Sequence, residues 1–146
     1  QLVADVGVLI NETLALFDEA ARGRGVRLSA AADILPAVQA DPARLQSVLS
    51  NLVSNALRHT PPDGAVVVSA RRNDDGVEVA VSDSGEGIAT DLLPQVFDRF
   101  VKGQTSTGSG LGLAIARDLV LAHGGRISAT NPPGGGATIV FWLPAS

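Results

Sequence analysis

Residues 77–82 read Val-Glu-Val-Ala-Val-Ser, an alternation that puts Val77, Val79 and Val81 on one face of a strand. Asp83 takes the next position on that face, where the pattern asks for another buried valine. A buried carboxylate without partners is costly, so something must hydrogen-bond it. Ser84-Gly85-Glu86-Gly87-Ile88 follows. The two glycines allow a turn that side chains would obstruct, and let another molecule come close to the backbone. Taken alone, the stretch is equally a tight turn with a solvated aspartate or the rim of a binding site.

The chain has 146 residues, enough for one domain with a real core. Hydrophobic residues make up 45% and charged residues 18%, which describes a globular chain and not a disordered tail. Lys plus Arg number 11 against 15 Asp plus Glu, a net charge of -4, so the balance gives no support to a nucleic-acid surface. The absence of cysteine excludes disulfides, thiol catalysis and thiolate metal sites. His59 and His123 are the only histidines, too few for a histidine-rich metal cluster. No apolar run approaches a membrane span, and the N-terminus lacks the form of a signal peptide. With no methionine either, Gln1 reads as an internal position and the chain as a fragment.

The spacing of Val6, Leu9, Ile10, Leu14, Leu16 and Phe17 predicts a helix over about Asp5 to Ala21, stopped by Gly23 and Gly25. Val26 to Ala31 and Ala37 to Ala40 read as short strands. Asp41-Pro42 is a helix start, Asp as N-cap and Pro in the first turn, and Thr60-Pro61-Pro62 closes that helix after His59. Its apolar stripe runs through Leu45, Val48, Leu49, Leu52, Val53, Ala56 and Leu57. Asn51, Asn55, Arg58 and His59 gather at the stripe's edge. Asparagine is a mediocre helix former, so Asn51 stacked one turn from Asn55 is either a pair of solvated amides, a cap for a neighbouring loop, or a site.

Ala65 to Arg72 and Val77 to Ser82 predict a hairpin turning at Asn73-Asp74-Asp75-Gly76. Thr90-Asp91 can cap a short helix containing Leu92 and Leu93. Phe97-Asp98-Arg99-Phe100 then places two aromatics in an aromatic-poor chain, an anchored segment or ordinary core packing. Residues 103–109 are polar and glycine-rich and are expected to form a mobile loop. They lead through Gly108-Ser109-Gly110-Leu111-Gly112-Leu113 into a helix ending at Gly124-Gly125, with His123 read as a cation near its C-terminus. A glycine loop entering a helix N-terminus presents free N–H groups and a positive dipole end to an anion. It lacks the Lys-Ser/Thr ending of a P-loop and the preceding strand of a dinucleotide fingerprint. Strands over Arg126 to Asn131 and Ala137 to Leu143 complete an α+β order. The expected architecture is a two-layer sandwich, one mixed and mostly antiparallel sheet with helices on one face.

Asn51 and Asn55, Asp83-Ser84-Gly85-Glu86-Gly87, Phe97 to Phe100 and Gly108 to Leu113 occur in one order at compatible spacings. Together they resemble the N box, first glycine box, F box and second glycine box of bacterial sensor histidine kinases. Gly134-Gly135-Gly136 resembles the final glycine box. The resemblance covers essentially the whole chain, as the catalytic ATP-binding domain of the GHKL (Bergerat) superfamily.

That resemblance implies ATP and Mg²⁺ as cofactors, and assigns roles. Asp83 would accept a hydrogen bond from the adenine amino group, Gly85 and Gly87 would let the base lie on the backbone, and Ile88 would pack on it. Asn55 would ligate Mg²⁺ through its amide oxygen, with Asn51 one turn before it in the same box. Arg58 and Lys102 would meet phosphate charge, His59 would lie against the nucleotide, and Asn55 with Lys102 would carry the catalytic positioning. Gly108, Ser109, Gly110, Leu111 and Gly112 would present the phosphate-binding backbone, with residues 101–109 as the lid. Three positions depart from the family pattern. Lys102 replaces a common Arg by a point charge, His59 replaces the usual Tyr, and Ala137 lacks the hydroxyl that relatives often carry after the last glycine.

No His-Glu/Asp pair with a nearby proline is present, so the phosphoacceptor box is missing. The chain therefore resembles the catalytic half, residues 5–146, with residues 1–4 as the end of a dimerisation helix or its linker. The implied activity is donation of the ATP γ-phosphoryl group to a histidine on a separate dimerisation domain, in two-component signalling. The implied partners are that domain and a response regulator, with no nucleic acid and no direct membrane contact. The domain alone is expected to be monomeric and cytoplasmic, part of an inner-membrane-anchored kinase. An ATP-hydrolysing relative and an anti-sigma-factor serine kinase are the alternatives. The ATPases place a Glu where Asn51 stands, and an amide cannot act as a general base.

Overall fold

The computed structural model describes residues 2–98 and 112–146. Its elements run β1 (Val3–Ala4), α1 (Val6–Arg24), β2 (Arg27–Ala32), β3 (Val38–Gln39), α2 (Pro42–His59), β4 (Ala65–Asn73) and β5 (Gly76–Asp83). A 3-10 turn (Leu93–Gln95), α3 (Gly112–Ala122), β6 (Arg126–Thr130) and β7 (Thr138–Pro144) follow. The main sheet has the order β2-β4-β5-β7-β6. Its β2–β4 pair is parallel and the other neighbours are antiparallel.

One face of this sheet is apolar by alternation. Val66, Val68 and Ala70 on β4, Val77, Val79 and Val81 on β5, and Ile139, Phe141 and Leu143 on β7 are all buried. The full predicted stripe of α2 is buried as well, and α1 and α3 flank α2 on the same core. Each such aliphatic side chain contributes about 1.5–3 kcal/mol through burial, which is what holds the two layers together. The expected α+β sandwich is therefore the observed one. The strand order puts β5 in the middle of the sheet, so the carboxylate ending its valine row sits at the C-terminal end of the central strand.

The caps explain where the helices stop. Asp41 accepts from the Ala43 N–H at 2.9 Å with Pro42 in the first turn. At the other end the Thr60 hydroxyl donates to the Ala56 carbonyl at 2.7 Å, and Thr60 is in extended backbone. In α1 the stop is Gly25, with φ +70° and its N–H returned to Ala21 and Arg22, whereas Gly23 lies inside the helix. Gly23 costs helix propensity without breaking the helix, and the chain turns away only at Gly25, which takes the left-handed conformation.

Other local expectations change in the same way. Val3–Ala4 form a strand antiparallel to Val38–Gln39, with Ala4 buried. The 3-10 turn begins after Leu92 without a side-chain cap, with Pro94 in its first turn, so Thr90-Asp91 does not start a helix there. Asp74 and Asp75 both have positive φ, the two-residue hairpin geometry that matches strand twist. The His123 ring bridges two helices: Nδ1 lies 2.7 Å from the Leu119 carbonyl, and Nε2 lies 3.3 Å from the Asp41 N–H, which joins the end of α3 to the start of α2. Among the described residues, no helix is long and apolar enough to cross a membrane.

Candidate nucleotide site

The C-terminal end of β5, the last two turns of α2, residues 86–92 and the start of α3 enclose a cavity of about 310 Å³. Leu52, Val81, Leu92, Val96, Leu113 and Ile139 give it an apolar interior. Asn55, His59, Asp83 and Glu86 supply its polar groups. An apolar slot with a few convergent polar atoms fits a flat heterocycle bearing hydrogen-bonding edges.

Asp83 is held by main chain. Its Oδ1 accepts from the Gly85 N–H at 2.9 Å and from the Ala137 N–H at 3.3 Å. Among the described residues Oδ2 has no hydrogen-bond partner, so a half-buried acceptor borders the cavity. The aspartate thus holds the turn through Oδ1 and also lines the cavity. Ser84 is occupied differently, its hydroxyl accepting from the Ala65 N–H at 2.9 Å.

Close approach explains two of the glycines. A Cβ on Gly85 would stand 2.1 Å from the His59 carbonyl oxygen, and one on Gly136 only 1.9 Å from the Asp83 carbonyl oxygen. Gly85 thus seats the turn directly against the end of α2, and Gly136 seats the β6–β7 turn against Asp83. Gly112, first in α3, faces open space, so no packing contact among the described residues demands a glycine there.

Of the predicted site residues, the structure brings Asn55, His59, Asp83, Gly87 and Ile88 together around the cavity. Asn51 is half-buried one turn earlier on α2 and is not part of the wall. Arg58 turns back along the helix, with long contacts from Nη1 to Ser54 Oγ (3.4 Å) and from Nη2 to Asn55 Oδ1 (3.5 Å). Lys102, Gly108, Ser109, Gly110 and Leu111 lie outside the described residues. Burial, and then the Arg58 guanidinium, push the His59 imidazole below its usual range, with Asp83 pulling the other way. Ala137 is buried in the wall, and the neighbouring hydroxyl of Thr138 points across the sheet to Ser82 Oγ at 3.0 Å.

Residues 40–146 match the family model described as histidine kinase-, DNA gyrase B- and HSP90-like ATPase. The chain belongs to that ATPase family. Within it, the similar curated proteins include sensor histidine kinases. ZraS of Escherichia coli (strain K12) is 40% identical over 143 residues, 97% of this chain and 30% of ZraS. Sensor histidine kinase component HK1 of Mycobacterium tuberculosis is 40% identical over 139 residues, 93% of this chain and 79% of HK1. The chain thus spans under a third of ZraS and most of HK1. The nucleotide-free catalytic domain of histidine kinase ThkA superposes with a TM-score of 0.90 at 31% identity, over 99% of this chain and 95% of that one. ThkA in complex with the response regulator TrrA superposes with a TM-score of 0.85 at 29% identity, over 99% and 42%.

The ATPase-family residues present fit a nucleotide on the evidence of their donors and acceptors. Among the described residues Asp83 Oδ2 is a spare acceptor at the apolar slot, and Gly87 puts backbone in the cavity wall where a side chain would otherwise stand. For Mg²⁺ the chain offers the Asn55 amide oxygen. Among the described residues no cluster of three or more His, Cys, Asp or Glu exists to hold a metal. A single protein oxygen suits a small hard cation that keeps waters and shares phosphate oxygens. Asn131 is the residue that pattern reading passed over. Its side chain bonds both main-chain groups of Ile88, a pairing with no signature in local spacing.

Proposed function

We propose that this chain is the ATP-binding, phosphoryl-donating domain of a sensor histidine kinase, acting on a histidine carried by a separate dimerisation domain. The observation that carries the reading is Asp83, with one carboxylate oxygen tied by two backbone N–H groups and the other, at an apolar slot, without a hydrogen-bond partner among the described residues. Adenine presents an amino donor on a flat apolar ring, and this pair of surfaces complements it. His59 lines the cavity with Asp83 and Asn55, and burial and Arg58 lower its proton affinity, so it favours the uncharged form there.

Asn55 would hold Mg²⁺, which when bound supplies neutralisation of the phosphate charge. From Asp83 to Asn55 the site therefore runs from base recognition to phosphate, with the glycine-rich stretch 108–112 and Lys102 proposed to meet the triphosphate. Phosphoryl transfer depends on position and charge stabilisation more than on covalent chemistry, which suits a site whose assigned residues bind and orient the nucleotide. Asn51 in place of a carboxylate disfavours water activation and hence the ATPase alternative. The response regulator of the cognate pathway is proposed as the downstream partner, and the parent protein as an inner-membrane-anchored kinase whose cytoplasmic side carries this domain.

The test is transfer in trans. The chain is incubated with Mg-ATP labelled at the γ-phosphate and a dimerisation domain bearing an acceptor histidine from the parent kinase. Acid-labile label on that histidine, and none on the chain itself, supports the reading. Steady ATP turnover without label transfer would overturn it in favour of an ATPase.

A further inference from the structure

We infer that Asn131 is a positioning residue of the nucleotide site, acting through the main chain of Ile88; this rests on the reading of the cavity as an ATP site. Asn131 Oδ1 accepts from the Ile88 N–H at 2.8 Å, and Asn131 Nδ2 donates to the Ile88 carbonyl at 2.5 Å. Forty-three residues of chain separate the two. One amide side chain thus satisfies both main-chain groups of a residue that has no strand neighbour, as a paired strand would.

The geometry around it shows why the pairing matters to the cavity. Gly87, immediately before Ile88, has φ +84°, and a Cβ there would stand 3.0 Å from both Asn131 Oδ1 and the Gly136 carbonyl oxygen. Gly87 and Ile88 line the cavity on the Asp83 side. Glycine at 87 leaves this stretch free to take other conformations, and Asn131 selects one by a fork-shaped contact. Pro132 contributes from the far side. It disfavours helical backbone at Asn131, so the side chain leaves an extended segment directly after β6. The same turn ends at Gly136 and Ala137, and Ala137 N–H bonds Asp83. The β6–β7 turn therefore grips the base end of the cavity twice, at Asp83 through Ala137 and at Ile88 through Asn131.

Among the described residues the Asn131 side chain bonds Ile88, at the base end, so its loss is read as weakened base binding without unfolding. The chain and its Asn131→Ala and Asn131→Asp variants are titrated with Mg-ATP, and amide hydrogen exchange is followed residue by residue. Two solvent-facing hydrogen bonds predict roughly five- to tenfold weaker ATP binding for Asn131→Ala. The aspartate keeps the acceptor for Ile88 N–H but faces the Ile88 carbonyl with a second acceptor, so it falls between the two. Ile88 amide exchange quickens in Asn131→Ala and is partly restored in Asn131→Asp, while β5 and β7 amides do not change. Unchanged ATP affinity in Asn131→Ala with quickened Ile88 exchange would overturn the positioning role, and unchanged Ile88 exchange would overturn the contact itself. A wild-type chain that binds no nucleotide would overturn both the ATP reading and this role in it. The Ile88 exchange comparison would then still show whether the clamp is made.

Discussion

Asp83 and Ala137 are bonded twice: the Asp83 N–H donates to the Ala137 carbonyl at 2.9 Å, and the Ala137 N–H returns to Asp83 Oδ1 at 3.3 Å. The first bond continues the β5–β7 ladder, and the second takes hold of the side chain. The carboxylate's orientation is consequently set by the last strand of the sheet. This also defines what the missing hydroxyl at position 137 does and does not alter. The main-chain bond to Asp83 needs only an N–H, so alanine preserves it.

Gly85 is predicted to be irreplaceable for packing before any ligand is considered. A methyl group at 85 would meet the His59 carbonyl at 2.1 Å, a backbone atom that can move only by shifting the end of α2. Gly85→Ala should lose about 1–3 kcal/mol in denaturant unfolding, the usual cost of overpacking. Gly134→Ala, where a Cβ meets nothing within 4 Å, is the control and should stay within about 0.5 kcal/mol of the wild type. Equal stability of the two variants would contradict the close approach.

Asn55 predicts a metal-specific defect. Wild-type affinity for ATP should rise when Mg²⁺ is added. In Asn55→Ala that increment should shrink at least about tenfold, a loss typical even of groups that only support a metal ligand. Binding of metal-free ATP should be little changed, because the base end of the cavity is intact. Calorimetric titration with and without Mg²⁺ separates the two, and equal losses in both would argue against a metal role.

The valine row and its terminal aspartate were readable because a two-residue period carries through the strand without a break. The bounds of α2 were readable because Asp41, Pro42 and Thr60 act locally. What escaped reading depends on distant or very short partners. Val3–Ala4 is too brief to show periodicity, and it is a strand only because Val38–Gln39, inside the expected strand Ala37 to Ala40, pairs with it. Gly23 and Gly25 look alike in sequence, and only the backbone angle at Gly25 tells which one ends α1. Asn131 reads as a turn residue beside Pro132 until Ile88 is brought to it. In the site, the type of each side chain was legible. The distances that keep Arg58 against Asn55 and leave Asn51 off the cavity wall were not.

His59 predicts an acid-side loss of stability. Burial first, and Arg58 second, lower its proton affinity in the folded chain relative to an ordinary imidazole near 6.5. Between the two values the unfolded chain binds more protons, so stability rises with pH across that window. The His59 contribution is complete above about pH 6.5 and is lost as the pH falls toward the depressed folded-state value. His59→Gln should therefore show a smaller drop in melting temperature than the wild type between about pH 7.5 and about pH 5.5. An equal or larger drop in the variant would contradict the assigned shift.

The central claim concerns the spare oxygen of Asp83. In Asp83→Asn, the amide oxygen can still accept from Gly85 and Ala137, which preserves the turn, while an NH₂ donor replaces Oδ2 and faces the adenine amino donor. Losing a charge-assisted hydrogen bond of roughly 1.5–3 kcal/mol predicts about ten- to hundredfold weaker Mg-ATP binding by calorimetric titration, at an unchanged melting temperature. A variant that binds Mg-ATP as tightly as the wild-type chain would show that Asp83 does not read the base.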